Sequence, residues 1–393
     1  MRDYWMMHAI KWHGVAELAF WLSVAIVFYV YTGYGLLLAT LSIFVRRRHQ
    51  NPEHRPFLSV VIAAYNEEKG IRKKIEQTLD LDYPADRLEI IVASDGSTDR
   101  TDEIVTSMQD PRVRLIRVEG RKGKTAAQNE AVKICKGDVV VFSDATTVYH
   151  PQALRYIAAN YHDPTVGAVS GRYQYFDAQG SSPTGLGTIA FWNYENLIKV
   201  LQSKIRTISG CCGCIYSVRR ALYTPLPAEV ISDLVQPLHV IRQGYRVVFE
   251  DRALAYEETT RSANEEFSMR VRVVTRGIRG LLSVPDMLVP GKHTWVCFQL
   301  WSHKILRWLI PLALSVLWGS SLLLWNQPTY RFVFMAQSCF YIMAVLTYFI
   351  PLHKRWKVLG IPLYFCILNA AALCSVVEVL RGKKYMVWET VRT

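Results

Sequence analysis

The feature that most constrains this chain is residues 15–45, an apolar stretch whose only charge is Glu17. About twenty such residues suffice for a helix to cross the hydrocarbon core of a bilayer, and this stretch exceeds that. It is too long for a signal-peptide core, and no small-residue cleavage pattern follows it. Arg46-Arg47-Arg48 come next, against only Arg2 and Lys11 on the other flank, so the positive-inside rule predicts that the following residues are cytoplasmic.

The composition agrees with a membrane-embedded part: 51% of residues are apolar and the mean hydropathy is +0.10. The net charge of +13 is spread as clusters beside the apolar segments, including Lys354-Arg355 and Lys383-Lys384. That pattern suits anionic headgroups. It does not suit nucleic acid, which would call for a basic, aromatic-bearing soluble face. The eight cysteines show no paired spacing and several lie in apolar segments, which reads as reduced, buried thiol instead of a disulfide framework. Cys211-Cys212-Gly213-Cys214 lacks a second Cys or His pair at zinc-ligand spacing.

Between the apolar segments, strand and helix patterns alternate. Residues 58–64, 88–93, 113–118 and 139–142 read as short buried strands, and residues 69–79, a segment from about 100, and 124–134 as the helices between them. This argues for a mostly parallel, doubly wound sheet. Its fourth strand closes on Asp144-Ala145-Thr146, which delivers a carboxylate to the carboxyl edge where open α/β sheets bind ligands. Beyond it, 166–175 and 245–249 read as strands and 188–201 and 234–242 as helices, a lobe built onto the first half.

Phe267, Val271, Val274, Ile278 and Leu281 recur at helical spacing while Arg270, Arg272, Arg276 and Arg279 take other faces. This predicts an interfacial amphipathic helix, its basic side toward headgroups or the soluble domain. Residues 306–325, 332–350 and 358–380 each approach spanning length, and Pro311 or Gly360-Ile361-Pro362 are placed to kink or interrupt them. If all three cross, the basic tail 381–384 lands outside, against the positive-inside rule. The expectation is that one segment, the last, is re-entrant or interfacial. The chain thus divides into an N-terminal transmembrane segment (1–50), a soluble domain (51–262), amphipathic interfacial helices (263–300), C-terminal membrane helices (301–380) and a basic tail (381–393).

Several motifs now stand in order: residues 59–68 (Ser-Val-Val-Ile-Ala-Ala-Tyr-Asn-Glu-Glu), Ser94-Asp95-Gly96-Ser97-Thr98-Asp99, Lys122-Gly123-Lys124, Ser143-Asp144-Ala145-Thr146 and Ser232-Asp233. Over residues 56–282 the chain resembles family 2 glycosyltransferases of the GT-A fold, a Rossmann-like mixed α/β sheet. It is similar more closely to membrane-integrated hyaluronan, poly-N-acetylglucosamine and cellulose synthases. The resemblance implies a donor site of Ala63, Tyr65, Glu67, Asp95, Lys124, Asp144 and Arg272. It implies Mg²⁺ or Mn²⁺ at Asp144 and Thr146, hard cations that take oxygen ligands and bridge diphosphates. The family's Asp-x-Asp has become Asp144-Ala145-Thr146, one carboxylate fewer. Asp233 matches the catalytic acid as general base, and an N-cap role for a helix starting at Leu234 is compatible with it.

For the acceptor side the resemblance implies Trp192, Cys212, Gly213 and Trp388, the last in a segment like the gating loop of hyaluronan synthases. Met269 and Val273 stand where processive relatives carry Gln and Trp around the arginine kept as Arg272. The expected activity is inverting transfer from a UDP-sugar, glucose or N-acetylglucosamine, onto a growing surface polysaccharide or glycolipid. The setting would be the cytoplasmic face of the inner (plasma) membrane, and a homo-oligomer or an export partner is compatible with it. The rival reading is single addition to a lipid acceptor of ceramide or polyprenyl phosphate type. A transporter with a nucleotide-sensing domain would need charges within its spans, and those segments are nearly charge-free.

Overall fold

The computed structural model describes residues 2–45, 51–178, 180 and 182–387. The Arg46-Arg47-Arg48 cluster and Trp388 lie outside the described residues. Eight strands form one sheet in the order β3-β2-β1-β4-β7-β6-β8-β5. They are β1 (Leu58–Ala64), β2 (Leu88–Ser94), β3 (Val113–Arg117), β4 (Val139–Asp144), β5 (Val148–Tyr149), β6 (Val166–Phe176), β7 (Ile215–Arg219) and β8 (Arg246–Glu258). Every residue of β1 and β2 is buried, as expected for strands covered on both faces by helices.

The first half follows the alternation in the sequence: β1, β2, β3 and β4 pair in parallel. The second half departs from it. β7 runs antiparallel between β4 and β6, and β5 antiparallel on β8, so the sheet is mixed. Ile215–Arg219 gave no strand signal because Ser217 and Arg219 interrupt its apolar run. Both polar side chains are satisfied inside, Ser217 Oγ by Val169 O at 3.2 Å and Arg219 Nε by Val166 O at 2.8 Å. β8 is also longer than expected, continuing past Phe249 through Arg252 to Glu258 beside β6.

In chain order the helices are α1 (Arg2–Phe28), α2 (Tyr34–Ile43), α3 (Ile71–Leu79), α4 (Thr101–Thr106), α5 (Lys124–Ile134), α6 (Ala153–Ala159), α7 (Gly185–Ile205), α8 (Ser232–Arg242), α9 (Ala263–Leu282), α10 (Thr294–Leu300), α11 (Leu306–Leu323), α12 (Pro328–Phe349) and α13 (Gly360–Leu380). Among the described residues, four helical stretches are long and apolar enough to cross a membrane: His13–Ile43, Thr294–Leu323, Pro328–Phe349 and Lys357–Leu380. The first two are each interrupted by a π turn, Tyr29–Gly33 and Trp301–Ile305. The two turns face each other, with Tyr29 Oη 2.8 Å from Ser302 Oγ. Pro311 does not break its helix, and Gly360-Ile361-Pro362 begin α13 instead of interrupting a span. A missing N–H is harmless there, since first-turn donors have no intrahelical partner.

These helices meet at two levels. Away from the sheet, Phe20 packs with Leu317, Leu324 and Tyr330; near it, Tyr34 and Leu38 pack with Ile198 of α7. α13 behaves differently from the others because both of its ends touch the sheet domain. Tyr364 near its start accepts from Arg270 at 2.8 Å. Just past its end, Lys383 O accepts from Arg279 at 2.9 Å and Lys384 pairs with Glu229 at 3.1 Å. A helix of this length is about 30 Å long. It therefore lies along α9 and the domain and does not lead away from them.

The docking of α13 rests on a close approach at Gly187, where an added Cβ would meet Cγ of Tyr364 at 2.7 Å. Gly187→Ala is expected to lower the thermal midpoint of the detergent-purified protein, at a cost of about 1–3 kcal/mol from overpacking. Gly319→Ala, in α11 with nothing within 4 Å of the new methyl, should leave the midpoint unchanged or raise it.

Candidate active site

The register of the parallel strands builds the first half of the site. Ala63 lies opposite Asp144 and Ala64 opposite Ser94, so β1, β2 and β4 end at one level and their loops converge there. The loops after β1 and β2 are stitched together. Asn66, at φ +53°, accepts from Thr98 N at 2.8 Å, and Glu67 N donates to Thr101 Oγ1 at 2.8 Å. Asp95 is fully buried and accepts from Lys122 N at 2.8 Å and from Gly123 N at 2.8 and 3.0 Å. Its carboxylate thus shapes the loop that starts α5. Burial lifts its pKa above the ordinary value in spite of these donors.

Gly123 sits at φ +96°, where only glycine is comfortable, and a Cβ there would run into the carbonyl of Met386. The chain's C-terminal segment therefore passes directly over this loop. Lys124, the first residue of α5, sends its ammonium to Asp144 and lies 3.3 Å from Gly213 O. Burial pulls the Lys124 pKa down, but the Asp144 carboxylate outweighs burial and holds it above its ordinary value. Lys124 is thus a fixed positive charge at the carboxyl edge.

The second half comes from the less regular lobe. α8 begins at Ser232 with Ile231 as its N-cap and makes no side-chain cap bond. Asp233 is therefore not the cap its position suggested, because its side chain is turned into a cavity. Asp233 O accepts from Cys211 N at 2.8 Å, which fixes the Cys-Cys-Gly-Cys turn against the helix start. A Cβ on Gly213 would stand 3.0 Å from Asp233 Oδ2, so glycine is what lets the carboxylate lie there. Burial pushes the Asp233 pKa up, partly offset by Lys124 and Lys199.

One cavity of about 300 Å³ is lined by both acids, Asp144 and Asp233. It also takes in Ala63, Glu67, Lys124, Thr146, Trp192, Gly213 and Arg272 from the expected set. Among the described residues, three expected ones do not line it. Tyr65 carries the Arg121 guanidinium over its ring at 4.0 Å, Asp95 acts behind the loop, and Cys212 is fully buried with Lys199 Nζ 3.0 Å from its Sγ. Trp192 faces the cavity while packing on Tyr173 and Tyr175, ring centroids 4.5 and 5.5 Å away.

Tyr173, Tyr175, Glu257, Arg270 and Arg276 line the cavity as well and were not anticipated as site residues. The only signal was the arginine pattern of α9, whose basic side turns toward the domain. Arg276 bonds to Thr125 Oγ1 at 2.9 Å and Val230 O at 2.6 Å, and Arg270 pairs with Glu266 at 2.7 Å. Burial draws the Arg276 pKa down to about 10. Met269 and Val273 also face the cavity, at the positions where Gln and Trp were missing.

Among the described residues no three His, Cys, Asp or Glu side chains cluster as a metal site. Asp144 and Thr146 still offer hard oxygens to the cavity. One carboxylate fits a Mg²⁺-type ion that draws its remaining ligands from phosphates and water, not from an all-protein cage.

Residues 59–224 match the family model described as Glycosyl transferase family 2. Among curated proteins the chain is 28% identical over 241 residues to the probable glycosyltransferase YdaM of Bacillus subtilis, covering 59% of this chain and 56% of that protein. It is 26% identical over 235 residues to the poly-beta-1,6-N-acetyl-D-glucosamine synthase of Staphylococcus aureus, covering 57% and 55%. The chain spans about half the length of these curated relatives. Among solved structures, the mannosyltransferase PcManGT from Pyrobaculum calidifontis, in complex with GDP-Man and Mn²⁺, aligns at a TM-score of 0.71 and 21% identity over 93% of this chain and 99% of that one. The mixed sheet and the family match agree: residues 59–224 form a region that matches family 2 glycosyltransferases, on a GT-A-like sheet.

Proposed function

We propose that the protein is a membrane-integrated, inverting glycosyltransferase that moves glucose or N-acetylglucosamine from its UDP-sugar to a hydroxyl on a growing surface polysaccharide or glycolipid. The observation that carries this reading is the meeting of Asp144 and Asp233 in one cavity, although they come from distant parts of the chain. Asp233 takes the proton of the acceptor hydroxyl as that oxygen attacks the anomeric carbon from the face opposite the leaving diphosphate, so the configuration inverts. Its raised pKa favours the task, since a more basic carboxylate is a better proton acceptor.

Lys124, Arg272 and Arg276 concentrate positive charge where the diphosphate departs, and charge placed in advance stabilises a developing anion. Asp144 with Thr146 would hold a divalent cation, which when bound neutralises diphosphate oxygens. Ala63 and Glu67 line the donor side, while Trp192 with Tyr173 and Tyr175 offers an aromatic wall on which a sugar ring stacks. The Mn²⁺ and GDP-Man held by the Pyrobaculum mannosyltransferase support a nucleoside-diphosphate sugar donor and a divalent metal, and the N-acetylglucosamine polymer named for the staphylococcal relative supports the choice of sugar.

In the membrane, α1–α2, α10–α11 and α12 are the crossings and α13 lies in the interface, since Tyr364 near its start packs on Gly187 and Lys384 just past its end pairs with Glu229. Domain and tail then share the cytoplasmic side, and the positive-inside conflict disappears. The rival reading, single addition to a lipid, gains support from Met269 and Val273, which replace the residues that processive relatives carry at the acceptor end.

A donor screen with UDP release as readout should find turnover with one UDP-sugar and its loss on adding chelator. Asp233→Asn should lower kcat by about a hundredfold or more, the scale for a general base; near-normal turnover would refute that assignment. For the wild type, kcat/KM is expected to rise with pH through the raised Asp233 pKa and then level off. An acid with a raised folded-state pKa contributes stability that is fully present below its unfolded pKa and is lost as pH rises through the folded value. Asp233→Asn should therefore unfold at neutral pH no earlier than the wild type. Gly213→Ala, which presses a methyl on the carboxylate, should cut kcat by roughly tenfold to a hundredfold with the circular dichroism spectrum unchanged.

A further inference from the structure

A second cavity, of about 180 Å³, adjoins the first, and Trp192, Asp233 and Arg270 line both. Its inner wall is cationic: Lys199 comes from α7, and Lys304 and Arg307 from the second span. Its outer wall is apolar, formed by Val274 of α9, Trp308 of α11, and Leu368 and Ala372 of α13. The charges are unevenly matched. Glu195 takes both Arg307 and His303, the latter at 3.0 Å, and Glu266 takes Arg270 at 2.7 Å.

Lys199 meets the thiol of Cys212 at 3.0 Å and the ring of Trp192. Neither Lys199 nor Lys304 has an ion pair with a carboxylate among the described residues. Arg307 Nε and Trp192 Nε1 are buried without an acceptor. Ammonium groups withdrawn from water are costly unless counter-charges match them, and here four cations, Lys199, Lys304, Arg270 and Arg307, share three carboxylates, Asp233, Glu195 and Glu266.

We propose that the charge balancing this excess belongs to the acceptor, which is a phosphate-bearing lipid. Its phosphate lies between Lys199 and Lys304, and its hydrocarbon chain leaves along the apolar wall between α9 and α13. Asp233 stands at the junction of the two cavities, so the nucleophile of a molecule anchored in the second is presented to the donor in the first. In the step itself the acceptor oxygen forms a bond to the anomeric carbon and the anomeric carbon–diphosphate bond breaks. UDP leaves with the electron pair, and an acceptor hydroxyl gives its proton to Asp233. This inference rests on the glycosyltransferase reading and names its acceptor class.

The test supplies the preferred UDP-sugar and four acceptors: a polyprenyl diphosphate-linked N-acetylglucosamine, a polyprenyl phosphate, an uncharged long-chain alkyl N-acetylglucosaminide, and N-acetylglucosamine 1-phosphate without a tail. At least one phosphate-bearing lipid should be used about tenfold or more better than either of the last two, as expected for a charge-assisted hydrogen bond. Transfer to the diphosphate-linked sugar marks a hydroxyl as the nucleophile; transfer to polyprenyl phosphate marks the phosphate oxygen. Lys304→Gln should raise KM for the charged lipid about tenfold and leave that of the uncharged glycoside in place, with Lys199→Gln as a second variant.

Native mass spectrometry gives a readout apart from turnover: polyprenyl phosphate should stay bound to the wild type and be lost from Lys304→Gln, while phosphatidylglycerol is not retained. Equal use of the uncharged or tail-less acceptor, or equal retention by wild type and both variants, overturns the inference. UDP release that depends on Asp233 with no such preference sinks it alone. Charge-dependent lipid retention with no sugar turnover under any donor sinks the glycosyltransferase reading instead.

Discussion

The architecture depends on β4 being paired differently on its two sides. Parallel pairing with β1 aligns Asp144 with Ala63 at the carboxyl edge, while antiparallel pairing with β7 brings back the Cys-Cys-Gly-Cys turn immediately before that strand. The strand is buried along nearly its whole length, and a one-residue slip would turn every side chain to the wrong face. One strand therefore sets the distance between the half that carries Asp144 and the half that carries Asp233. The pairing of Lys124 with Asp144, and its approach to Gly213 O, ties the halves together from above.

α9 converts this soluble geometry into a membrane-facing one. An amphipathic helix can turn its arginines to headgroups or to protein, and here Arg270 and Arg276 are almost completely buried against the domain. Desolvating a guanidinium is costly unless its donors are matched; Arg276 Nη2 finds a hydroxyl and two backbone carbonyls, while its Nε is buried without an acceptor. α13 then covers the other face of α9, with Ser375 Oγ 3.1 Å from Val271 O. On the proposed reading the layer nearest the bilayer and the cavity wall are the same pair of helices, and an acceptor entering from the bilayer would need no separate passage.

The nucleotide half was legible in the sequence because its strands are continuous β-branched runs and its turns use strong punctuators: residues 58–64 and 124–134 carry the same bounds in sequence and structure. β7 was hidden because its polar residues are satisfied by partners distant in the chain, Val169 and Val166, which no local pattern reveals. The side chains of Ala63, Glu67, Lys124, Asp144 and Asp233 were legible because their motifs fall at a strand end (Ala63, Asp144), in the loop after one (Glu67) or at a helix start (Lys124, Asp233). Tyr65, Asp95 and Cys212 show the limit of such reasoning, since a motif residue serves the loop as readily as the ligand. Glu195, Lys199 and Lys304 could not be found at all, because their meaning lies in which charges remain unmatched once distant helices come together.

The paired π turns at Tyr29–Gly33 and Trp301–Ile305 have a geometric effect of their own. Each is a wide turn holding one residue more than the helix needs, and the two sit side by side. Successive helical residues are about 100° apart, so deleting one from either turn would swing the outer half of that helix through more than a quarter circle. Phe20 or Leu317 would then face away from its present neighbour while Tyr34 and Trp295 stayed in place. The two widenings act as matched phase shifters, and the outer and inner contacts of the bundle hold together because both helices carry one at the same depth.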